Sequence, residues 1–168
     1  MGAIVRRYRH EDQGVVWALS LIPHLGETAD PSVPLDLPPR DDPGNWDELL
    51  DIHASFLTRG GDFLICEVDS RVVATGSVLP DGEGGAEVNF VRVHPALRRR
   101  GLGRMMMDAL ERRALDMGWS RLHLDTTVEQ PEAVAFYQAL GYSEIGRRKF
   151  PGWELIYFEK RLRSPDRA

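Results

Sequence analysis

One segment of the chain, residues 90–104, joins a strand pattern to a turn rich in glycine and arginine: Phe90-Val91-Arg92-Val93-His94-Pro95-Ala96-Leu97-Arg98-Arg99-Arg100-Gly101-Leu102-Gly103-Arg104. The apolar run before Pro95 predicts a strand, and the apolar spacing after Leu102 predicts a helix. The first turn of a helix has N–H groups without partners and the positive end of the helix dipole, so it attracts anions. Glycines at 101 and 103 would let a diphosphate approach these N–H groups, and the arginines would add charged donors. The segment therefore predicts a pyrophosphate site, although a helix start with a solvated basic rim has the same residue types.

The pattern on either side of this segment predicts an α/β (α+β) domain with the element order β-α-α-β-β-β-α-β-α-β-β. Apolar runs and turn residues predict strands at 3–8, 62–69, 71–80, 86–93, 121–125, 142–146 and 153–160. Helical spacing and end signals predict helices at 11–21, 47–58, 102–117 and 131–140. Repeated prolines predict an irregular segment at 22–46. We expect a single domain over residues 1–163, followed by a flexible tail at 164–168.

The composition narrows the class of protein. The chain has 168 residues, of which 42% are hydrophobic and 28% charged, as in an ordinary globular domain. It has neither the roughly 18 apolar residues of a membrane span nor the apolar core of a signal peptide, so we expect a cytoplasmic protein without a membrane partner. The net charge of −5 disfavours general binding to nucleic acid, which needs a basic face. Cys66, the single cysteine, lies in an apolar run that favours a packed thiol, and no metal site is predicted.

Two motifs resemble those of the GNAT acetyltransferases. Arg98-x-x-Gly101-x-Gly103, preceded by a strand and Val-x-Pro, is similar to the family signature Arg/Gln-x-x-Gly-x-Gly/Ala. The second motif, Ala-x-x-Phe-Tyr-x-x-x-Gly-Phe/Tyr, resembles Ala133-Val134-Ala135-Phe136-Tyr137-Gln138-Ala139-Leu140-Gly141-Tyr142. The order and spacing of both motifs fit the family over residues 62–160, and the resemblance is weaker over 1–60. The family often has Asn where this chain has Gln130, so a glutamine amide would take its place at coenzyme A.

The resemblance implies a fold and an acetyl donor. The fold is a central mixed, mostly antiparallel sheet of six to seven strands, flanked by about four helices and splayed between the strands at 86–93 and 121–125. The donor is acetyl-CoA, with coenzyme A as product. Its pantetheine arm would pair with the backbone at Val91 and Val93. The remaining donor-binding residues that the resemblance implies are Arg98, Arg99, Arg100, Gly101, Leu102, Gly103, Arg104, Gln130 and Tyr137.

The resemblance also implies an N-acetyltransferase in which an amine attacks the thioester directly in a ternary complex. An alkylammonium must lose a proton before attack, and the departing thiolate benefits from gaining one. Tyr137 matches the family's tyrosine and is the candidate general acid, although a tyrosine there would also serve for packing. Glu87 is the candidate base, acting directly or through water, although a solvent-facing glutamate at a strand end is equally expected. Asp125, at the end of the next strand, is a weaker alternative.

Strand alternation and two histidines complete the candidate site. By simple alternation Glu87 shares a face with Asn89, Val91 and Val93, but a bulge would shift that phase. His94 and His123 titrate near neutrality in their ordinary state, and we expect both to be structural.

The acceptor and two other functions stay open at this point. In the family the acceptor approaches over segments equivalent to 22–46 and 147–153. It would be a small-molecule or peptide amine. The acidic residues Asp36, Asp41 and Asp42 would attract it and Trp46 and Trp153 would wall its apolar part, although a solvated acidic loop has the same residue types. Many family members are homodimers, which is an expectation from the resemblance alone.

The first of these other functions is a non-catalytic acyl-CoA sensor, which would keep the same loop. A dinucleotide-binding oxidoreductase, the second, is disfavoured because Met106 replaces the third glycine and because the segment from Val93 to Gly101 is too long for a tight nucleotide turn.

Overall fold

A seven-stranded sheet forms the centre of the structure, a computed structural model that describes residues 2–22 and 30–163. The strands are β1 (Ala3–Arg7), β2 (Asp62–Val68), β3 (Arg71–Pro80), β4 (Ala86–Val93), β5 (Arg121–Thr127), β6 (Ser143–Phe150) and β7 (Trp153–Arg161). Their order across the sheet is β1-β2-β3-β4-β5-β7-β6. Neighbours are antiparallel except β4 and β5, which are parallel. The predicted mixed, mostly antiparallel sheet is confirmed, and the antiparallel run from β2 to β4 differs from a βαβ dinucleotide-binding unit.

The helices follow the predicted order, and one of them is irregular. The described residues form α1 (Gln13–Leu21), α2 (Leu102–Asp116) and α3 (Pro131–Ala139). The short helix predicted at 47–58 is found as an irregular helical segment, with a 3-10 turn at Asp47–Leu49 and a π-helical turn at His53–Leu57. The buried Phe56 on that turn packs against Phe63 with ring centroids 5.4 Å apart. The π-helical turn goes with this contact to a residue of another element, so the apolar periodicity within 47–58 does not predict the turn.

The last hairpin extends further than predicted. The apolar pattern indicated a strand at 142–146, whereas β6 continues to Phe150. Its second half is the charged run Arg147-Arg148-Lys149, so hydrophobic alternation gives no signal there. The pairing is instead set by the turn before Trp153, where Gly152 has a φ of +85°.

A different layer covers each face of the sheet. On one face, α2 and α3 pack over a core that contains Leu110. On the other face, α1 and the turns at 47–57 pack over a second core that contains Phe63. Helix α2 approaches β3 closely because Gly76 has no side chain: a Cβ there would lie 2.8 Å from Leu110 Cδ1. This contact holds α2 against the sheet, with its first turn following the end of β4.

The predicted splay between β4 and β5 is confirmed. The two strands pair only at Ala86 with Leu122 and at Glu87 with His123. Beyond these pairs they separate, and β5 continues its ladder with β7 on its other side. A cleft therefore opens between the second halves of β4 and β5.

A β-bulge in β4 accompanies the cleft. Ser77 pairs with Asn89 and Thr75 pairs with Arg92, so β4 has one more residue than β3 in this interval. Phe90 takes a φ of +53°, which is unusual for a residue other than glycine. The hydroxyl groups of Thr75 and Ser77 donate to the carbonyls of Phe90 (2.7 Å) and Asn89 (2.9 Å), and these bonds hold the bulge.

The bulge changes which side chains share a face. Val91 and Val93 pack on the α2 side with Val88, whereas Glu87 points to the opposite side by alternation from Val88. The simple alternation that placed Glu87 with Val91 and Val93 is therefore wrong, for the reason that a bulge inverts the pattern after it.

Some expectations concern segments outside the described residues. The predicted tail at 164–168 is one, and residues 23–29 of the proline-rich segment are another. Residues 30–46 form turns without a helix or strand, as predicted. No helix in the described part of the chain has the length and apolarity needed to cross a membrane. Cys66 is buried, as expected of a packed thiol.

Candidate active site

The loop after β4 is held in place by a buried histidine. His94 Nδ1 accepts the N–H of Ala96 at 3.1 Å, and Nε2 lies 3.0 Å from the carbonyl oxygen of Pro34, to which it donates. The Nδ1 contact requires a neutral ring, and burial lowers the pKa of His94. His94 therefore has the structural role predicted for it, and it ties the proline-rich segment to the loop.

The loop itself has the geometry of an anion site. Arg99 and Gly101 have φ values of +58° and +82°, the left-handed conformation that recurs in anion-binding loops. The first intrahelical bond of α2 runs from the Met105 N–H to the Gly101 carbonyl at 3.0 Å. The N–H groups of Leu102 and Gly103 precede that bond and have no helical acceptor. The predicted pyrophosphate loop thus has backbone donors at the start of α2.

Arginine side chains surround these donors. Arg99, Arg100 and Arg104 are exposed, and Arg98 is half-buried. Arg99 contacts Glu132 of α3 at 3.2 Å, but both side chains are exposed, and such pairs contribute little to stability. The basic rim is therefore accessible to an anion in solvent.

The two glycines of the motif have different roles. At Gly101 the positive φ requires glycine, and the space where a Cβ would stand is open. At Gly103 a Cβ would lie 3.2 Å from Phe136 Cζ of α3. Gly103 therefore also allows α2 and α3 to approach each other, a role that the sequence motif alone did not indicate.

Tyr137 lies on α3 beside the cleft. Its ring packs with Tyr142 and Phe158, at centroid distances of 5.9 and 6.4 Å. Burial raises the pKa of Tyr137 to about 12, an effect that Asp125 strengthens and Arg92 opposes. Within residues 2–22 and 30–163 no protein group forms a hydrogen bond with its hydroxyl. Tyr137 is therefore protonated at neutral pH, with its O–H available to a ligand.

Two carboxylates lie on the face of the sheet away from α2. Glu87 stands beside His123 in the β4–β5 pairing and accepts a hydrogen bond from Asn89 Nδ2 at 3.0 Å. Asp125 follows His123 on the same face of β5. Its side chain lies in the cleft and is exposed to solvent. The surrounding protein still desolvates the carboxylate in part, and this effect together with the charge of Glu87 raises the pKa of Asp125. Either carboxylate is placed to accept a proton.

His123 has a structural partner, as expected. Its Nε2 lies 3.1 Å from Asp81 Oδ2, and the same carboxylate accepts from Arg121 at 2.7 Å. These contacts fix the turn between β3 and β4, which contains Asp81, against β5 at the end of the cleft where β4 and β5 are still paired.

Arg92 is the residue of the site that sequence analysis missed. It lies in β4 between Val91 and Val93, and its side chain therefore points away from α2. Its guanidinium lies over the Trp46 ring, 5.8 Å from the centroid. Burial lowers the pKa of Arg92. An arginine between two apolar strand residues is the sequence signal that indicates this role.

The other predicted site residues divide between cleft and surface. The Gln130 amide contacts the hydroxyls of Thr126 and Thr127, at 3.4 and 3.2 Å. Asp36 forms an ion pair with Arg71, and Asp42 pairs with Arg40 at 3.0 Å. Trp46 packs edge-on against Phe90 at 5.5 Å, whereas Trp153 stacks on Phe150 at 4.2 Å. Trp46 is therefore joined to the cleft wall, and Asp36 and Asp42 are engaged by surface arginines.

Comparisons with known proteins identify relatives of this chain among acetyltransferases. Human N-acetyltransferase 8 is 30% identical over 112 residues, which are 63% of this chain and 49% of that protein. The IAA acetyltransferase of Azospirillum brasilense is 34% identical over 85 residues, 50% of this chain and 56% of that protein. The chain thus spans about half the length of these curated relatives.

Solved structures share the fold. An acetyltransferase of the GNAT family from Staphylococcus aureus Mu50 has a TM-score of 0.77 at 16% identity, covering 96% of this chain and all of that one (100%). The yncA protein of Salmonella typhimurium, solved with acetyl-CoA, has a TM-score of 0.72 at 20% identity, with 100% of both chains covered. The family model described as "Acetyltransferase (GNAT) family" matches residues 28–142, which is more than half of the sequence. The chain therefore belongs to the acetyltransferase (GNAT) family.

Proposed function

We propose that this protein is an N-acetyltransferase that moves the acetyl group of acetyl-CoA onto a primary amine of a small molecule or peptide. The observation that carries the proposal is the cleft between β4 and β5, which has an anion loop at one end and the protonated Tyr137 beside it. The family match and the acetyl-CoA in the yncA structure support the same donor.

The residues present fit acetyl-CoA. The unpaired N–H groups at the start of α2, the left-handed Arg99 and Gly101 and the exposed arginines suit a pyrophosphate. Beyond Glu87 the edge of β4 that faces β5 has no strand partner in the described residues, so the backbone at Val91 and Val93 is free to pair with an amide-containing arm. The residues proposed to hold the donor are Val91, Val93, Arg98, Arg99, Arg100, Gly101, Leu102, Gly103, Arg104, Gln130 and Tyr137. Acetyl-CoA, when bound, supplies an activated thioester.

The chain's own side chains would handle the protons. Glu87, directly or through water, would take the proton of the acceptor ammonium, with Asp125 as the alternative base. Tyr137 would give a proton to the departing thiolate, which its raised pKa permits because the phenol is protonated when the reaction starts. Direct transfer in a ternary complex needs no nucleophile from the protein, and the buried Cys66 is not required.

Thermal unfolding tests the donor first. A ligand at 100 times its dissociation constant stabilises the fold by about 2.7 kcal/mol, which for a domain of this size raises the unfolding temperature by about 5–10 °C. We expect that shift with acetyl-CoA and none with NAD or NADP, followed by free-thiol release with an amine. A shift with NAD alone would overturn the proposal. A cytoplasmic location and a homodimer stay predictions.

A further inference from the structure

Among the residues that the structure describes, Arg92 is a partly buried cation without an acidic partner. Its Nε atom is inaccessible to solvent and has no hydrogen-bond partner within residues 2–22 and 30–163. Its Nη1 donates to its neighbour's carbonyl, Val91 O, at 3.2 Å. Within the described residues no carboxylate lies at ion-pair distance from its guanidinium, whereas the similarly enclosed Arg6 contacts both Asp12 and Glu67.

A buried guanidinium without an anionic partner lowers the stability of the fold unless a ligand supplies the missing hydrogen bonds. Removing a charge from water without a partner carries a penalty of several kcal/mol, and buried polar groups in proteins are almost always hydrogen-bonded. Arginine presents a planar fork of donors that matches a carboxylate in two parallel bonds. An unpaired arginine in a cleft is therefore suited to a ligand that brings the carboxylate with it.

The position of Arg92 separates it from the donor site. The anion loop leads into α2, and α2 packs on the face of the sheet that Val91 and Val93 share. Arg92 points to the other face, toward Trp46 and the second core. A group bound by Arg92 thus belongs to the acceptor and not to the donor's pyrophosphate.

The same face carries the opposite charge nearer the closed end of the cleft. Glu87 and Asp125 lie there, and Tyr137 is within electrostatic range of both Arg92 and Asp125. An amine would be attracted toward the carboxylates, and an anion toward Arg92. The two ends of the cleft therefore match a molecule that carries both charges.

We propose that Arg92 binds the carboxylate of the acceptor, so that the acceptor class is amino carboxylic acids whose amine lies toward Glu87 and Asp125. Trp46 is a positioning residue in this arrangement, since its ring lies under the guanidinium and is braced by Phe90. The inference rests on the proposed acetyl transfer for the identity of the acceptor, but the binding of the carboxylate is measurable without turnover.

The test uses matched pairs of acids and amides. The common L-amino acids, β-alanine and γ-aminobutyrate are compared with their carboxamides, which keep the amine and lose the charge. Binding is measured by thermal unfolding and calorimetry on the protein saturated with coenzyme A, and turnover by thiol release from acetyl-CoA. We expect at least one acid to exceed its amide by about 10- to 100-fold in affinity and in kcat/KM, the range for a hydrogen bond to a charged group.

Substitution of Arg92 identifies the partner. Arg92→Met should abolish the preference for acid over amide, and its unfolding temperature should stay the same or rise because an unpaired buried charge is removed. Arg92→Lys should recover part of the preference. Arg112→Gln is the control, because it removes the same charge from an exposed residue of α2, on the face of the sheet opposite to Arg92.

Each outcome is decisive. An acid preference that Arg92→Met removes and Arg112→Gln keeps supports the inference. Equal use of acids and amides by the wild-type protein, or an equal loss for both in Arg92→Met, overturns it and leaves the proposed function standing. Carboxylate-dependent binding without turnover supports the inference and contradicts the proposed function. If no acid binds better than its amide, the inference is wrong.

Discussion

Gly103 of α2 lies against the ring of Phe136 of α3, so closely that a Cβ on the glycine would be 3.2 Å from Phe136 Cζ. The contact joins the helix that starts at the anion loop to the helix that carries Tyr137. The glycine of the motif is therefore also part of the packing between the two helices.

We expect Gly103→Val to lower the free energy of unfolding by about 1–3 kcal/mol, because the larger side chain overpacks this contact. Denaturant unfolding of the ligand-free protein measures the effect. The double variant with Phe136→Ala should lose less than the sum of the two single losses, because the shorter side chain makes room. Unchanged stability of Gly103→Val together with weaker acetyl-CoA binding would assign the glycine to the donor site alone.

Tyr137→Phe tests the general acid. We expect kcat to fall by about 100-fold or more, the range for a general acid, with acetyl-CoA affinity unchanged because the ring remains. The matched control is Tyr142→Phe, whose hydroxyl donates to Glu111 at 3.1 Å. That variant should lose about 1.5–3 kcal/mol of stability, because the bond is to a charged group, and keep its turnover. Full activity of Tyr137→Phe would leave Tyr137 a packing residue.

The base is tested through the pH dependence of kcat/KM. Glu87→Gln should lower kcat/KM by about 100-fold, and Asp125→Asn should lower it less. The charge of Glu87 contributes to the raised pKa of Asp125, so removing that charge lowers the pKa of Asp125. If Glu87→Gln instead keeps its activity and its acidic limb moves to lower pH, the base is Asp125.

The bulge in β4 should depend on the Thr75 hydroxyl. Thr75→Val removes the bond to the Phe90 carbonyl and leaves that carbonyl without its partner. We expect a loss of about 1–3 kcal/mol in stability and weaker binding of acetyl-CoA, since the free edge of β4 follows the bulge. Thr75→Ser keeps the hydroxyl and should behave like the wild type; equal losses in both variants would point to packing instead.

His94 should make the fold sensitive to acid. Burial lowers its pKa from 6.5 in the folded state, so below about that pH the unfolded chain binds a proton that the folded chain does not. Stability from this group is complete above pH 6.5 and is lost as the pH falls toward the folded-state pKa. His94→Gln should flatten this part of the curve of unfolding free energy against pH, whereas the exposed His10→Gln should not. A curve unchanged by His94→Gln would contradict this assignment.

The sequence predicted the parts of the site that local chemistry determines. The loop from Arg98 to Gly103 depends on glycines and a helix start, and both are visible in consecutive residues. The bulge at Phe90 depends on pairing with Thr75 and Ser77, which lie at least thirteen residues earlier on another strand. Periodicity therefore could not place Glu87 and Val91 on opposite faces.

Local sequence also does not predict a role that depends on the absence of a partner in the folded structure. Arg92 looked like an ordinary strand residue, because only the fold shows that no carboxylate reaches it within the described residues. The turn at His53–Leu57 likewise follows contacts of Phe56 with Phe63 and Phe90, which come from β2 and β4.

The early separation of β4 from β5 has a consequence for how specificity is divided. After the pair Glu87–His123, no strand of the described residues pairs with the edge of β4 that faces β5, and an extended molecule with peptide-like amides would pair there as a short additional strand. A molecule bound in this way is recognised by the spacing of the β4 backbone groups. Substitutions of side chains on the face with Arg92 and Glu87 do not change that spacing. The acceptor proposed above would, in contrast, meet side chains such as Arg92 and Glu87. A single substitution on that face can therefore change which amine is used while the donor stays the same.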